Sequence, residues 1–307
     1  MLNETDADGG REEIKEKFIS IIEKFITLAA IRLSDDVMAQ LEKMRKKEDT
    51  SLQKEIYDSY FENLKMAREL KRPCCQDTGM IQFYLNAGTV FPYLSLIPEV
   101  LTEAVRRATV SVPLRPNAVD FFDEKISDDN IAERSPWINW ELIPDSQEIE
   151  ITVYFSGAGC SLPGQARVFK PSDGIEAIIP FVFDAVLGPG INACPPLLVG
   201  IGLGHNIENA AVLSKKALLR PLGKHHSHLR GAELEQRITD GLNSTGMGAQ
   251  GLRGNKAVMG VNIESSARHT ATIACAVNVS CYMLRRGVIR LKSNLSYELP
   301  TFTGETL

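Results

Sequence analysis

The chain has 307 residues, with 34 Lys and Arg against 39 Asp and Glu for a formal charge of −5, and is 44% hydrophobic and 24% charged. This is an ordinary globular composition, able to bury one large core or two smaller ones, and its mild acidity argues against a nucleic-acid binder, which carries a basic domain or stripe. No apolar run nears the roughly 18 residues of a membrane span, and six cysteines are too sparse for a disulfide scaffold, so they read as thiols in a reducing cytoplasm. The opening Met1–Arg11 is polar and acidic, unlike a secretory signal. Residues 1–10 are expected to be disordered.

Residues 12–33 place Ile14, Phe18, Ile21, Ile22, Phe25 and Leu28 at helical spacing, apolar on one face. Ser34 and Asp35 look like the cap of a second helix through Val37, Leu41 and Met44. A third helical pattern runs from about Gln53 to Leu70, with Ile56, Tyr60, Leu64 and Ala67 on one face. These first 70 residues read as a helical layer whose role is packing. Beyond Arg72 and Pro73 the texture changes: 80–88 reads as a strand, and 97–110 as a helix entered at Pro98. Residues 113–135 form a polar loop long enough to suggest a functional segment. Residues 148–155 alternate as a strand and run into a glycine loop, Ser156 to Gly164. A helix is predicted over 176–186, a buried strand over 196–204, and helices over 206–219 and 232–242. A glycine-rich stretch (246–260), an apolar segment around Cys275 and a strand-like close (286–299) complete the chain. The mixture predicts a mixed α/β (α+β) fold, a helical N-terminal layer packed on a mixed-sheet core, as one domain over 1–307.

The segment PLLVGIGLGHNIENAA suggests a dinucleotide fold, but the spacing fails. Counting from Gly200 the third glycine position holds His205, and from Gly202 it holds Ile207. Two readings stay open there: an anion site at a helix start, or a tight turn without ligand. In SGAGCSLPG, Gly157 and Gly159 either let the backbone approach a ligand closely or make a plain hairpin or bulge. His225, His226 and His228 in KHHSHLR lack an acidic or cysteine partner at ligand spacing, which favours a solvated turn or a subunit contact over a zinc site.

The cysteines are Cys74, Cys75, Cys160, Cys194, Cys275 and Cys281. None forms a CxxC pair, and the clustered spacing of ferredoxins is missing, so a metal centre would need ligands from distant segments. Three have suggestive neighbours: Cys75 in CQDTG, Cys194 in NACPP, and Cys281 twelve residues after His269.

Taken together, CQDTG, PLRPN, the glycine loop, NACPP, GAQG, VMGVNIESSARHTA and NVSC resemble the iron–sulfur fumarate hydratase/L-tartrate dehydratase family, in the family's order and from about residue 10 to the end. The likeness is to the α subunit, or to the N-terminal part of fused relatives. It implies a [4Fe–4S] cluster held by Cys75, Cys194 and Cys281, with one iron not ligated by cysteine and open to substrate. It also implies Asp77 and His269 as a catalytic pair handling the proton of the leaving hydroxyl, and Gln76, Arg115, Gly157 and Gly159 at the substrate. GAGCSLPG is similar to the tartrate dehydratase form of the loop, Gly-Gly-Gly-Cys-Thr-Leu-Pro-Gly. The expected reaction is therefore dehydration of a 2-hydroxy dicarboxylate, L-tartrate to oxaloacetate and water, with fumarate hydration as the alternative.

Such chemistry accounts for the residue types. Hydroxide leaves poorly, and an iron with an open position stabilises its departure, whereas a fourth thiolate would close that position. A positioned acid or base typically contributes about 10²–10⁴-fold, and an arginine fork suits a carboxylate. A non-enzymatic cluster-bearing sensor is the reading from another class, and it would require neither Asp77, His269 nor Arg115. Only 307 − 281 = 26 residues follow Cys281, with nothing similar to the second domain of fused relatives. A separate β subunit, in an α2β2 assembly, is expected to complete the site.

Overall fold

The computed structural model describes residues 4–307. In chain order the elements are α1 (Glu4–Ile31), α2 (Asp35–Arg45), α3 (Ser51–Leu70), β1 (Met80–Gly88), α4 (Ile97–Ser111), β2 (Trp137–Ile143), β3 (Ile149–Ser156), the single turn α5 (Ala158–Ser161), β4 (Gln165–Phe169), α6 (Ile178–Leu187), β5 (Leu197–Gly204), α7 (Ile207–Leu219), α8 (Leu229–Asn243), β6 (Val258–Ser265), β7 (Ile273–Ser280), β8 (Arg286–Leu291) and β9 (Tyr297–Glu298). This is an α+β fold. Of the segment expected to be disordered, residues 1–3 lie outside the described residues, and helix α1 is assigned from Glu4.

The chain divides into two compact units. The first draws on the chain up to Asp35, on Leu64–Ser156 and on Arg285–Leu307. Its sheet has the order β2-β1-β3-β8-β9, parallel between β1 and β2 and antiparallel elsewhere. Strand β1 alternates as its period-2 pattern predicts: Ile81, Phe83 and Leu85 are buried and their neighbours only half so. Onto that face pack Phe18, Ile22, Phe25 and Ile26 of α1 with Val100, Leu101, Ala104 and Val105 of α4. Full burial of each large side chain stabilises by about 1.5–3 kcal/mol, before the entropy of ordering it. Strand β2, absent from the sequence reading, is an exposed edge in which Trp137, Trp140, Leu142 and Ile143 face solvent, so no alternation marks it.

The second unit draws on Asp36–Asn63 and Gly157–Leu284. The N-terminal helical layer is thus shared: α1 covers the first sheet, while nearly all of α2 and the first part of α3 belong here. The sheet order is β4-β7-β5-β6, with β5 and β6 parallel and β7 antiparallel to β5 and β4. One face carries Val199, Ile201, Val261, Ile263, Val277 and Val279 against Ile178, Val182, Val186, Leu234, Ile238 and Leu242 of α6 and α8. The other receives α7 at close range, since a Cβ on Gly200 or Gly202 would overlap the backbone oxygens of Ser214 and Ala210. The glycines of PLLVGIGLG therefore serve helix–strand packing. Asn206 closes the turn by accepting the Asn209 N–H at 2.8 Å, which caps α7 from within. Strand β4, also missed, is a five-residue edge with three exposed positions.

Candidate active site

In the first unit, Cys75 lies in the loop between α3 and β1. Cys74 is anchored inward: its N–H and its thiol both donate to the Ala30 carbonyl, at 3.0 and 3.2 Å. Burial pushes that thiol up to about 11. Cys75 is half-buried and Gln76 exposed. The Asp77 carboxylate accepts the Gly79 N–H at 3.0 Å and the Asn117 side-chain amide at 3.2 Å. The Asp77 and Thr78 carbonyls accept from the Arg285 guanidinium at 2.8 and 3.0 Å, and Arg285 is itself buried over the Phe155 ring. Thr78 donates its hydroxyl to the Arg115 carbonyl at 3.2 Å, so the CQDTG and PLRPN loops lie against each other, with Arg115 exposed. The sequence reading missed Asn117 and Arg285; only the proximity of Asn117 to Arg115 hinted at a role.

In the second unit, Gly157 opens α5 in extended geometry, and its carbonyl accepts from Cys160 N–H, Ser161 N–H and the Ser161 hydroxyl. GAGC is one helical turn rather than a hairpin. Gly159 packs against the turn before Cys194, where an added Cβ would come within 3.3 Å of the Asn192 oxygen. Cys194 ends a 3₁₀ turn in the left-handed region, φ 55° and ψ 70°, and is exposed. That geometry is uncommon for a side chain with a Cβ and concentrates at functional sites. Cys281 leaves the end of β7 half-buried; its N–H donates to the Cys160 sulfur at 3.3 Å, and the Tyr282 N–H donates to the Cys194 carbonyl at 3.4 Å. Cys194 and Cys281 are therefore neighbours. Half-buried Lys215 lies near Cys160, and burial pushes its ammonium down, with the Cys160 thiol opposing.

Tyr60 and Gln250, also missed, occupy the same corner. Burial raises the Tyr60 phenol well above its ordinary range, and Cys194 and Cys281 reinforce that rise. Gln250 lies in GAQG, which gave it no role of its own, and Tyr60 was read only as part of a helix face.

His269 is elsewhere in the second unit. Leu198 pairs with Ser280 and Gly204 with Ala274, so six residues of extended chain, at about 3.3 Å each, separate the two ends of the β5–β7 ladder by about 20 Å. Cys194 and Cys281 flank one end and His269 the other. His269 is exposed, and its Nδ1 accepts the Ala271 N–H at 3.1 Å, so the neutral ring carries its proton on Nε2. Arg268, Arg230 and Arg237 line a cavity of about 710 Å³ at this end. Two of the other histidines do structural work: His228 caps α8 by accepting the Arg230 N–H, and His226 bonds Ser265.

The six thiols separate by exposure. Cys74, Cys160 and Cys275 are buried, whereas Cys75, Cys194 and Cys281 are exposed or half-buried. Among the described residues no group of three or more His, Cys, Asp or Glu is placed to hold a metal ion, and no helix is long and apolar enough to cross a membrane.

The family model for fumarate hydratase (Fumerase) matches residues 19–290. The chain belongs to the fumarate hydratase family. The L(+)-tartrate dehydratase subunit alpha of Escherichia coli strain K12 is 43% identical over 301 residues, covering 98% of this chain and 99% of that one, and the Shigella sonnei subunit matches equally. A putative L(+)-tartrate dehydratase subunit alpha of Methanocaldococcus jannaschii is 37% identical over 279 residues, covering 90% and 98%. Membership of the fumarate hydratase family makes the chain part of a hydro-lyase, an enzyme that adds or removes water across a carbon–carbon bond.

Proposed function

We propose that the chain is the α subunit of an L-tartrate dehydratase, converting L-tartrate to oxaloacetate and water together with a β subunit in an α2β2 assembly. The observation that carries this reading is the partition of the thiols, with Cys75, Cys194 and Cys281 accessible and the others buried. These are the three positions that match the family's cluster ligands. Their chemistry fits a [4Fe–4S] cluster: none is in a disulfide, and each thiolate binds its own iron, so the three need not converge on one point as ligands of a single ion must. When bound, the cluster supplies an iron that lacks a cysteine ligand and acts as a Lewis acid toward the substrate hydroxyl. The near-complete match to relatives named for L-tartrate supports that substrate over fumarate.

The dehydration removes a hydroxyl from one carbon and the hydrogen from the next, leaving an enol that becomes the 2-oxo acid without any redox step. Arg115, exposed beside the CQDTG loop, holds a substrate carboxylate as a bidentate fork, and Gln76 adds an amide donor. Gly157 and Gly159 let the α5 turn approach the substrate closely. Asp77 is oriented by Asn117 and Arg285, and His269 presents its Nε2–H as a hydrogen-bond donor to a carboxylate. Because the β7 ladder, about 20 Å long, lies between His269 and Cys281, His269 serves the site of a second copy of the chain, where it pairs with that copy's Asp77.

Anaerobic reconstitution with iron, sulfide and the β subunit tests the reading. Oxaloacetate formation from L-tartrate that requires all three supports it. Full turnover by α alone, or with iron and sulfide omitted, overturns it.

A further inference from the structure

We propose that Tyr60 and Gln250 are positioning residues that fix the spacing of the Cys194 and Cys281 thiols. The inference rests on the reading above, in which those thiols hold the cluster. The two cysteines come from segments 281 − 194 = 87 residues apart, and the long Tyr282–Cys194 hydrogen bond of 3.4 Å joins their backbones. Cys194 is followed by Pro195 and Pro196, which have no N–H to anchor that loop. The Pro195 carbonyl is one anchor that holds it.

Tyr60 supplies the connection. Its side chain, 5% exposed, stacks on Tyr282 with ring centroids 3.6 Å apart and planes 14° from parallel. Its hydroxyl donates to the Pro195 carbonyl at 3.4 Å and accepts from the Gln250 side-chain amide at 2.6 Å. Pro195 follows Cys194 and Tyr282 follows Cys281, so one side chain from α3 touches the residue after each thiol. Gln250 closes the arrangement from the other side, because its own N–H donates to the same Pro195 carbonyl at 2.9 Å.

Gln250 is held in a costly conformation to do this. It sits at φ 54° and ψ 16°, left-handed for a residue with a Cβ. The stretch containing it is pinned by the Gln53 side chain, whose Oε1 accepts the Ala249 N–H at 2.9 Å and whose Nε2 donates to the Ala249 and Leu252 carbonyls at 3.3 and 3.4 Å. Gln53 and Tyr60 are seven residues apart on α3 and share one helix face. A tyrosine kept only to fill space would need the ring alone; this one places its hydroxyl between two partners that both belong to the ligand corner.

The experiment uses the full chain with its β subunit, reconstituted anaerobically, as wild type, Tyr60→Phe, Gln250→Gly and Cys281→Ser. Tyr60→Phe keeps the stack and removes the hydroxyl; Gln250→Gly suits the left-handed backbone, keeps its N–H and removes the amide, which covers the case in which Tyr60→Phe does not fold. Iron and sulfide per chain, the half-life of iron release to a chelator, and alkylation rates of the thiols before reconstitution are measured. The expected result is release about tenfold faster in both variants, the range for groups that orient metal ligands, with faster alkylation of Cys194 and Cys281 and an unchanged KM for substrate. Release and alkylation within about twofold of wild type in both variants would overturn the proposal, about twofold being less than the loss of one typical hydrogen bond produces. If Cys281→Ser retains its full iron, the cluster assignment itself fails instead.

Discussion

His269 and Cys281 lie off opposite ends of strand β7, whose ladder from Ala274 to Ser280 spans about 20 Å, the histidine exposed before one end and the cysteine beside Cys194 after the other. An imidazole reaches only a few ångströms from its backbone, well short of that span. Under the proposed reading, two chains related by a twofold axis each give their histidine to the other's site.

That arrangement predicts complementation. His269→Ala and Cys281→Ser chains, each inactive with β, are co-expressed so that they assemble together. Half of the dimers are mixed, and each mixed dimer holds one intact site of two, giving about a quarter of wild-type activity. Activity that stays at background in verified mixed assemblies would contradict the exchange.

The exposure of the thiols predicts which ones bind iron. Cys75→Ser, Cys194→Ser and Cys281→Ser lose cluster iron and sulfide, measured chemically after anaerobic reconstitution. Cys275→Ala, buried in the second core, retains both. Full loading of any of the three serines removes that residue from the ligand set.

Burial also predicts a pH effect on stability. The Cys275 thiol is raised from 9.0 to about 12 by burial. A raised folded value contributes stability that is complete below the unfolded value and is lost as pH rises from about 9 toward 12. Each unit in that window costs up to about 1.4 kcal/mol. Urea unfolding at about pH 8 and about pH 10 should show a steeper loss in wild type than in Cys275→Ala. Equal losses would mean that the thiol ionises without penalty.

The α7–β5 approach gives a stability prediction. Gly202→Ala drives a methyl into the Ala210 carbonyl, and overpacking of this kind costs about 3 kcal/mol. Urea unfolding measures it; a cost under about 1 kcal/mol would mean that α7 moves aside freely.

Much of the fold was legible because its elements repeat a simple period. Strand β1 alternates, α2 buries Val37, Leu41 and Met44 as their spacing predicts, and α4 begins where Pro98 indicates. Edge strands β2 and β4 were hidden because exposure removes the alternation that reveals a strand. The motifs that carry Cys75, Asp77 and Arg115 were legible, and the CQDTG and PLRPN loops do meet. Asn117 and Gln250 sit inside PLRPN and GAQG without a readable role, and Arg285, Gln53 and Tyr60 carry no motif, because each bonds a group far away in sequence. Arg285 holds the Asp77 carbonyl across 208 residues, and Gln53 the Ala249 amide across 196. The distance from His269 to Cys281 was equally hidden: twelve residues look close until eight of them are known to be extended.

The most direct test is the ratio of kcat/KM for L-tartrate to that for S-malate, measured on the anaerobically reconstituted α–β enzyme. The two substrates differ by one hydroxyl, and a site built to hydrogen-bond that hydroxyl discriminates by about 10⁴ or more. An L-tartrate dehydratase gives a ratio of about that order in favour of L-tartrate; a ratio near or below unity would contradict that assignment and make the enzyme a fumarate hydratase.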